Sequence, residues 1–151
     1  LLTDFISASL HHLAVFSLVA ILVAELVLLR PGLDDVAVSR IARLDIAYAI
    51  AAACVLAAGF ARVFFAAKGA DYYFHNYIFW TKIGLFVLIG ILSIQPTLRF
   101  IAWRRALAAD PKALPAAADI KRAKLFVHIE TTLVFILPIL AAAMARGYGS
   151  P

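Results

Sequence analysis

The chain has 151 residues, 65% of them hydrophobic and 15% charged, with a formal net charge of +5. A soluble domain carries about 45–50% apolar residues, and roughly a third of its surface stays in contact with water. So apolar a chain excludes disorder, argues against a soluble enzyme or a nucleic-acid binder, and points to the membrane.

Four segments have the length and apolarity of membrane helices, for which about 20 residues suffice. The first is about residues 5–29, stopped by Arg30-Pro31-Gly32. No basic residue precedes it and no small-residue cleavage site follows, so it reads as a span and not as a removable signal peptide. The second is about residues 42–65, ending before a Lys68-Gly69 turn, and Cys54 lies inside it. A single cysteine excludes an intramolecular disulfide and a thiolate metal cluster. The third is about residues 77–103, stopped by Arg104-Arg105. Asp110-Pro111-Lys112 and Leu114-Pro115 break the next connection, and Asp119 is expected to cap a lead-in to the last span. The fourth is about residues 125–145. Short connections make successive helices antiparallel neighbours. The expected fold is all-α: one integral membrane domain over residues 1–151, an antiparallel bundle of four transmembrane helices.

Basic residues orient this bundle. Ten of the 14 lie in or beside the first and third connections; Arg62, Lys68, Lys82 and Arg146 lie on the other side. The crowded side is expected to be cytoplasmic. That places both termini in the periplasm if the membrane is a bacterial inner membrane. Tyr72, Tyr73, Tyr77 and Trp80 would form the outer aromatic belt, with Trp103 at the inner interface.

Ionisable groups in a membrane helix are costly and generally face the bundle interior. Helical spacing groups Ser7, His11, Ala14, Leu18 and Glu25 on the first span, with His12 rotated by about 100°. It groups Asp45, Tyr48, Ala52, Val55, Gly59 and Arg62 on the second, and Lys82, Phe86, Ile89, Ser93 and Pro96 on the third. On the fourth it groups Lys124, His128, Thr131, Thr132 and Phe135, with Glu130 elsewhere. Depth then separates two layers. The outer holds His11, His12, Arg62, His75 and Lys82. The inner holds Glu25, Arg43, Asp45, Arg99, His128 and Glu130.

Imidazole is a ligand for haem iron, zinc and copper. The outer layer therefore suits haem b, with His11 or His12 as one axial ligand, His75 or Lys82 opposite, and Arg62 beside a propionate. His128 joins these as a candidate cofactor contact in the inner layer. No CxxCH or HExxH motif is present, so covalent haem attachment and a zinc protease are not indicated. Each group also has a plain structural reading. Arg62 and Lys82 can reach the outer headgroups, His128 can bridge helices, and Asp45 can pair with Arg43 or Arg99 to set helix register.

Several stretches carry a resemblance. Leu10-His11-His12-Leu13, Glu25 to Arg30, Ala42-Arg43-Leu44-Asp45, Tyr72-Tyr73-Phe74-His75-Asn76, Phe79-Trp80-Thr81-Lys82, Leu98-Arg99-Phe100 and Phe126 to Glu130 resemble a small uncharacterised bacterial inner-membrane family. That family is distantly similar to the CopD-like membrane proteins, which include copper-resistance proteins and HemJ-type protoporphyrinogen oxidases. The HemJ-type enzymes bind haem b. They carry an early histidine, matched by His11 or His12, and a Trp…Lys pattern opening the third helix, matched by Trp80 and Lys82. Where they place a histidine two residues before that lysine, this chain has Trp80, and His75 would substitute.

The resemblance and the residues together imply a haem-b-binding membrane protein with a redox or tetrapyrrole-related role. Its partners would be the lipid bilayer, a membrane redox partner or quinone, or further copies of itself. The alternatives are a CopD-like transport or resistance protein with His11, His12 and His75 as a metal entry site, and a structural or assembly subunit of a membrane complex.

Overall fold

The computed structural model describes residues 2–65 and 69–150. Lys68, counted above on the outer side, lies outside the described residues. Among the described residues five helices follow in order: α1 (Leu2–Leu28), α2 (Asp35–Phe65), α3 (Gly69–Phe74), α4 (Tyr77–Ala109) and α5 (Ala117–Ala145). The four long ones contain 27 to 33 residues. At a rise of about 1.5 Å per residue they are about 40–50 Å long, more than the hydrocarbon core of about 30 Å, so their ends project beyond it.

The long helices form a ring. α1 packs along α2, α4 along α5, and the ring closes through α2–α4 and α1–α5 contacts. Among the described residues the diagonal pairs, α1–α4 and α2–α5, are not in main-chain contact. Side chains of all four helices therefore meet along the bundle axis.

Local sequence sets the helix starts. Asp34 Oδ1 accepts the backbone N–H of Ala37 at 2.7 Å, which caps α2 seven residues earlier than the span read from apolarity. α5 likewise starts before its apolar stretch. Its cap position is Ala116, straight after Leu114-Pro115, and not Asp119 as the sequence suggests. Asp119 instead sits in the first turn and accepts Arg99 Nη1 at 2.7 Å, tying α5 to α4. Both extensions mix core residues such as Ile41 and Ile120 with charged ones such as Arg40, Lys121 and Arg122, which ends an apolarity window before the helix ends.

Burial runs opposite to that of a soluble bundle. The most apolar stretch of each long helix has a mean hydropathy of 2.0–2.1, yet only 17–22% of those residues are buried inside the bundle. Phe16, Ile50, Ile91 and Ile139 point outward, while Glu25, Asp45 and Glu130 point inward. Lipid explains this arrangement and water does not. The chain is a membrane protein with four spanning helices.

The interior has two apolar clusters. The main one includes Leu18, Leu22, Ile41, Ile89, Phe100, Trp103 and Val127. A smaller one at the outer end joins Val63, Ile78, Phe79 and Met144. Tyr72, Tyr73, Phe74, Phe79 and Trp80 stack edge to edge beside it. Trp103 is buried against Phe100, with ring centroids 5.5 Å apart, where the sequence reading places it at the interface.

The C-terminal tail docks on the start of α4. Asn76 is fully buried. Its Oδ1 accepts the N–H of Ile78 at 2.9 Å and caps α4, while its Nδ2 donates to the Tyr148 carbonyl at 3.0 Å. Tyr77 N–H donates to the Gly149 carbonyl at 3.0 Å. Gly149 has φ +84°, and a Cβ there would lie 2.6 Å from Asn76 Oδ1, so only glycine fits. Asn76→Ala removes the cap and the side-chain bond to Tyr148, leaving the tail held by the Tyr77–Gly149 main-chain bond. Its expected cost is about 1–2 kcal/mol in thermal unfolding in detergent, with faster carboxypeptidase trimming. Trimming at the wild-type rate would show that the tail is held by something else.

Candidate functional site

The helix faces read from spacing hold on α1, α2 and α4. Ser7, Leu18 and Glu25 are buried on α1, Asp45, Tyr48 and Val55 on α2, and Ile89 and Pro96 on α4. The α5 face differs. Lys124, His128, Thr132 and Phe135 are exposed, while Ile120, Ala123, Val127, Glu130 and Val134 are buried. Thr131 is the only member of the expected stripe that is buried. With lipid outside, the two sides of α5 are equally apolar, and a polar residue is no guide to the interior unless it is also flanked by small ones.

The outer layer resolves into one cluster and two outliers. His11 is half-buried against α2, and its Nδ1 lies 3.2 Å from the Val55 carbonyl oxygen. A carbonyl only accepts, so Nδ1 carries the hydrogen, and in the neutral imidazole Nε2 keeps its lone pair. Gly59 makes this approach possible, since a Cβ there would stand 3.4 Å from His11 Cε1. Arg62 from α2 and Lys82 from α4 lie close enough to His11 for all three charges to interact, and Lys82 also feels Arg62. Neither cation has a carboxylate or hydrogen-bond partner among the described residues. The result is a half-buried basic cluster contributed by three helices, without a counter-ion.

His12 and His75 lie apart from it. His12 is exposed toward the lipid side and donates Nδ1–H to Ala8 O of its own helix at 2.6 Å. His75 is exposed just past the C-terminal end of α3, where its Nδ1 approaches the Asp71 carboxylate at 3.2 Å and the Asp71 carbonyl at 3.0 Å. Among the described residues, no three His, Cys, Asp or Glu side chains converge as a metal-binding group. Cys54 is exposed.

The inner layer is acidic. Glu25, Asp45 and Glu130 lie close enough for their charges to interact. Asp45 accepts the Thr97 hydroxyl at 2.8 Å, not Arg43 or Arg99. Arg43 turns its Nε to the Ser39 carbonyl at 3.3 Å, and Arg99 is taken by Asp119. The Tyr48 hydroxyl faces Glu130 and Ser93. His128 is remote from these carboxyls in orientation and lies in an open groove on α5 with Lys121, Arg122 and Lys124. Tyr48 and Thr97 have no part in the sequence reading as functional groups. Their signal is positional: each lies about one turn from a polar residue on a buried face.

On α1, His11 and Glu25 are 14 residues apart, which separates the two layers by about 21 Å. The arrangement offers two kinds of chemistry: a ligand nitrogen beside unneutralised positive charge at one end, and clustered carboxyls at the other.

A family model described as "Predicted membrane protein (DUF2214)" matches residues 3–149. The chain belongs to that family. No curated protein and no solved structure matches it. The DUF2214 match runs through all four spans, so both polar layers lie within the region it covers.

Proposed function

We propose that this DUF2214 protein binds haem b at the outer end of its bundle and has a redox or tetrapyrrole-related role. The observation that carries this reading is His11. It is a half-buried imidazole with Nδ1 committed to Val55 and Nε2 free, beside two cations that lack a carboxylate. These residues fit the group. His11 Nε2 would ligate the iron, and Arg62 and Lys82 would each meet a propionate. A bound haem supplies one-electron chemistry at its iron. The CopD-like and HemJ-type resemblance of the histidine and Trp…Lys stretches is consistent with this assignment. His12 and His75 are turned away from the cluster, which leaves His11 as the protein's ligand. Among the described residues the copper-entry reading finds no group of three converging His, Cys, Asp or Glu side chains to support it.

Haem titration of the purified protein tests this. Arg62→Gln and Lys82→Gln should each weaken binding about tenfold, the worth of one charge-assisted contact to a carboxylate. Wild-type affinity in both variants would remove the propionate assignment.

The proposal extends to location. The protein resides in a bacterial inner membrane, with Arg30, Arg40, Arg43, Arg104, Arg105 and the basic start of α5 on the cytoplasmic side and both termini periplasmic. Reporter fusions at either terminus should be active only as periplasmic reporters. A cytoplasmic signal from both would reverse the orientation.

A further inference from the structure

Glu25, Asp45 and Glu130 come from α1, α2 and α5 and converge near the inner end of the bundle. Glu25 is 2% exposed and Glu130 1%. The Oε1 atom of each is sealed from solvent and has no hydrogen-bond partner among the described residues. Hydroxyls come from the other side: Thr97 donates to Asp45, and Tyr48 and Ser93 stand beside Glu130.

Among the described residues no basic side chain offsets these groups. α1 contributes Glu25, α2 contributes Asp45 and Tyr48, α4 contributes Ser93 and Thr97, and α5 contributes Glu130. Arg99, two residues beyond Thr97, is turned to Asp119. A carboxylate loses several kcal/mol of hydration on burial, and neighbouring carboxylates repel one another. Hydroxyls supply hydrogen bonds but no charge. The cluster therefore lacks both positive charge and donors for two buried oxygens, and the described residues form no metal-binding group that would supply the charge.

We propose that Glu25, Asp45 and Glu130 form a membrane-embedded proton-binding site. A proton meets both needs at once. It cancels a charge and turns an unpartnered acceptor into an O–H that donates to a neighbouring carboxyl. The site does not rest on the haem reading, and its test uses protein without added haem.

The test is labelling with dicyclohexylcarbodiimide, a hydrophobic reagent that adds to protonated carboxyl groups, followed by mass spectrometry to locate the adduct. Labelling at Glu25 or Glu130 is expected at neutral pH, declining as pH rises and unchanged by excess sodium. Glu25→Gln should remove the adduct at that position. Infrared spectra of the unmutated protein provide a second readout that does not depend on a variant folding. A carboxylic-acid C=O band should be present at neutral pH and should shift in deuterium oxide. Labelling confined to acid pH, absence of that band at neutral pH, or protection by sodium would each overturn the proposal, the last by making the site one for a metal cation.

Discussion

Replacing His11 with alanine is expected to abolish haem retention, while His12→Ala leaves haem content at the wild-type level. The two histidines are adjacent in sequence, so composition, depth and expression burden are matched between the variants. They differ in direction. His11 leans on α2 with its Nδ1 on the Val55 carbonyl and its Nε2 free beside Arg62 and Lys82. His12 is exposed and bonded to its own helix. Haem content per protein, measured by pyridine haemochrome, separates them. Equal losses in both variants, or none in either, would contradict the placement of His11 as ligand. Gly59→Leu should imitate His11→Ala, because a large side chain would occupy the space in which the ring rests.

Phe100→Ala is expected to give the largest loss of stability among single core truncations. Phe100 is 1% exposed and packs in the main apolar cluster against Trp103. In soluble cores this change costs about 3–5 kcal/mol. In a bilayer the unfolded helix keeps its side chains in an apolar medium, so the transfer part shrinks and lost packing dominates. The expected value is therefore at the low end, about 3 kcal/mol, in equilibrium unfolding by sodium dodecyl sulfate. Leu98→Ala is the control. Leu98 faces outward, and its truncation should change stability by less than about 0.5 kcal/mol. Similar losses at both positions would mean that the bundle is not packed as described.

Some features are legible in the sequence and others are hidden, for physical reasons. The four spans are readable because an apolar run of about 20 residues finds a favourable medium only in lipid. The inward face of α2 is readable because Ala52, Gly59, Asp45 and Arg62 fall on one stripe, and both small and ionisable residues are disfavoured on a lipid face. The choice between His11 and His12 is not readable, because both lie at one depth; the structure makes it by turning His11 onto α2. The face of α5 is not readable from its polar residues. His128 and Thr132 are exposed, while Glu130 is buried with Ala123 on the same face. In water an apolar stripe marks the core, but in lipid both sides are apolar and the stripe vanishes. The helix extensions at Asp35 and Ala117 are hidden because charged residues such as Arg40, Lys121 and Arg122 end the apolar run before the helix ends. Short α3 and the docked tail are hidden because they depend on Asn76 meeting Tyr148, 72 positions away.

The two polar layers give the bundle a consistent reading. Among the described residues, positive charge without a counter-ion collects toward the start of α1, and carboxyls without a cation collect toward its end. Had the ion pairs been structural glue, the expected arrangement would place Asp45 on Arg43 or Arg99 and a carboxylate beside Arg62. Instead Asp45 takes a hydroxyl, Arg99 takes a distant aspartate, and Arg62 has no carboxylate partner among the described residues. Charges kept apart in this way point to ligands that complete them.

The most direct measurement is the visible absorbance spectrum of the protein purified in mild detergent, recorded oxidised and after dithionite reduction. A Soret band with sharp α and β bands on reduction, lost in His11→Ala, is the predicted result. A featureless visible spectrum, even after expression with added haem and titration of the purified protein, would contradict the haem assignment.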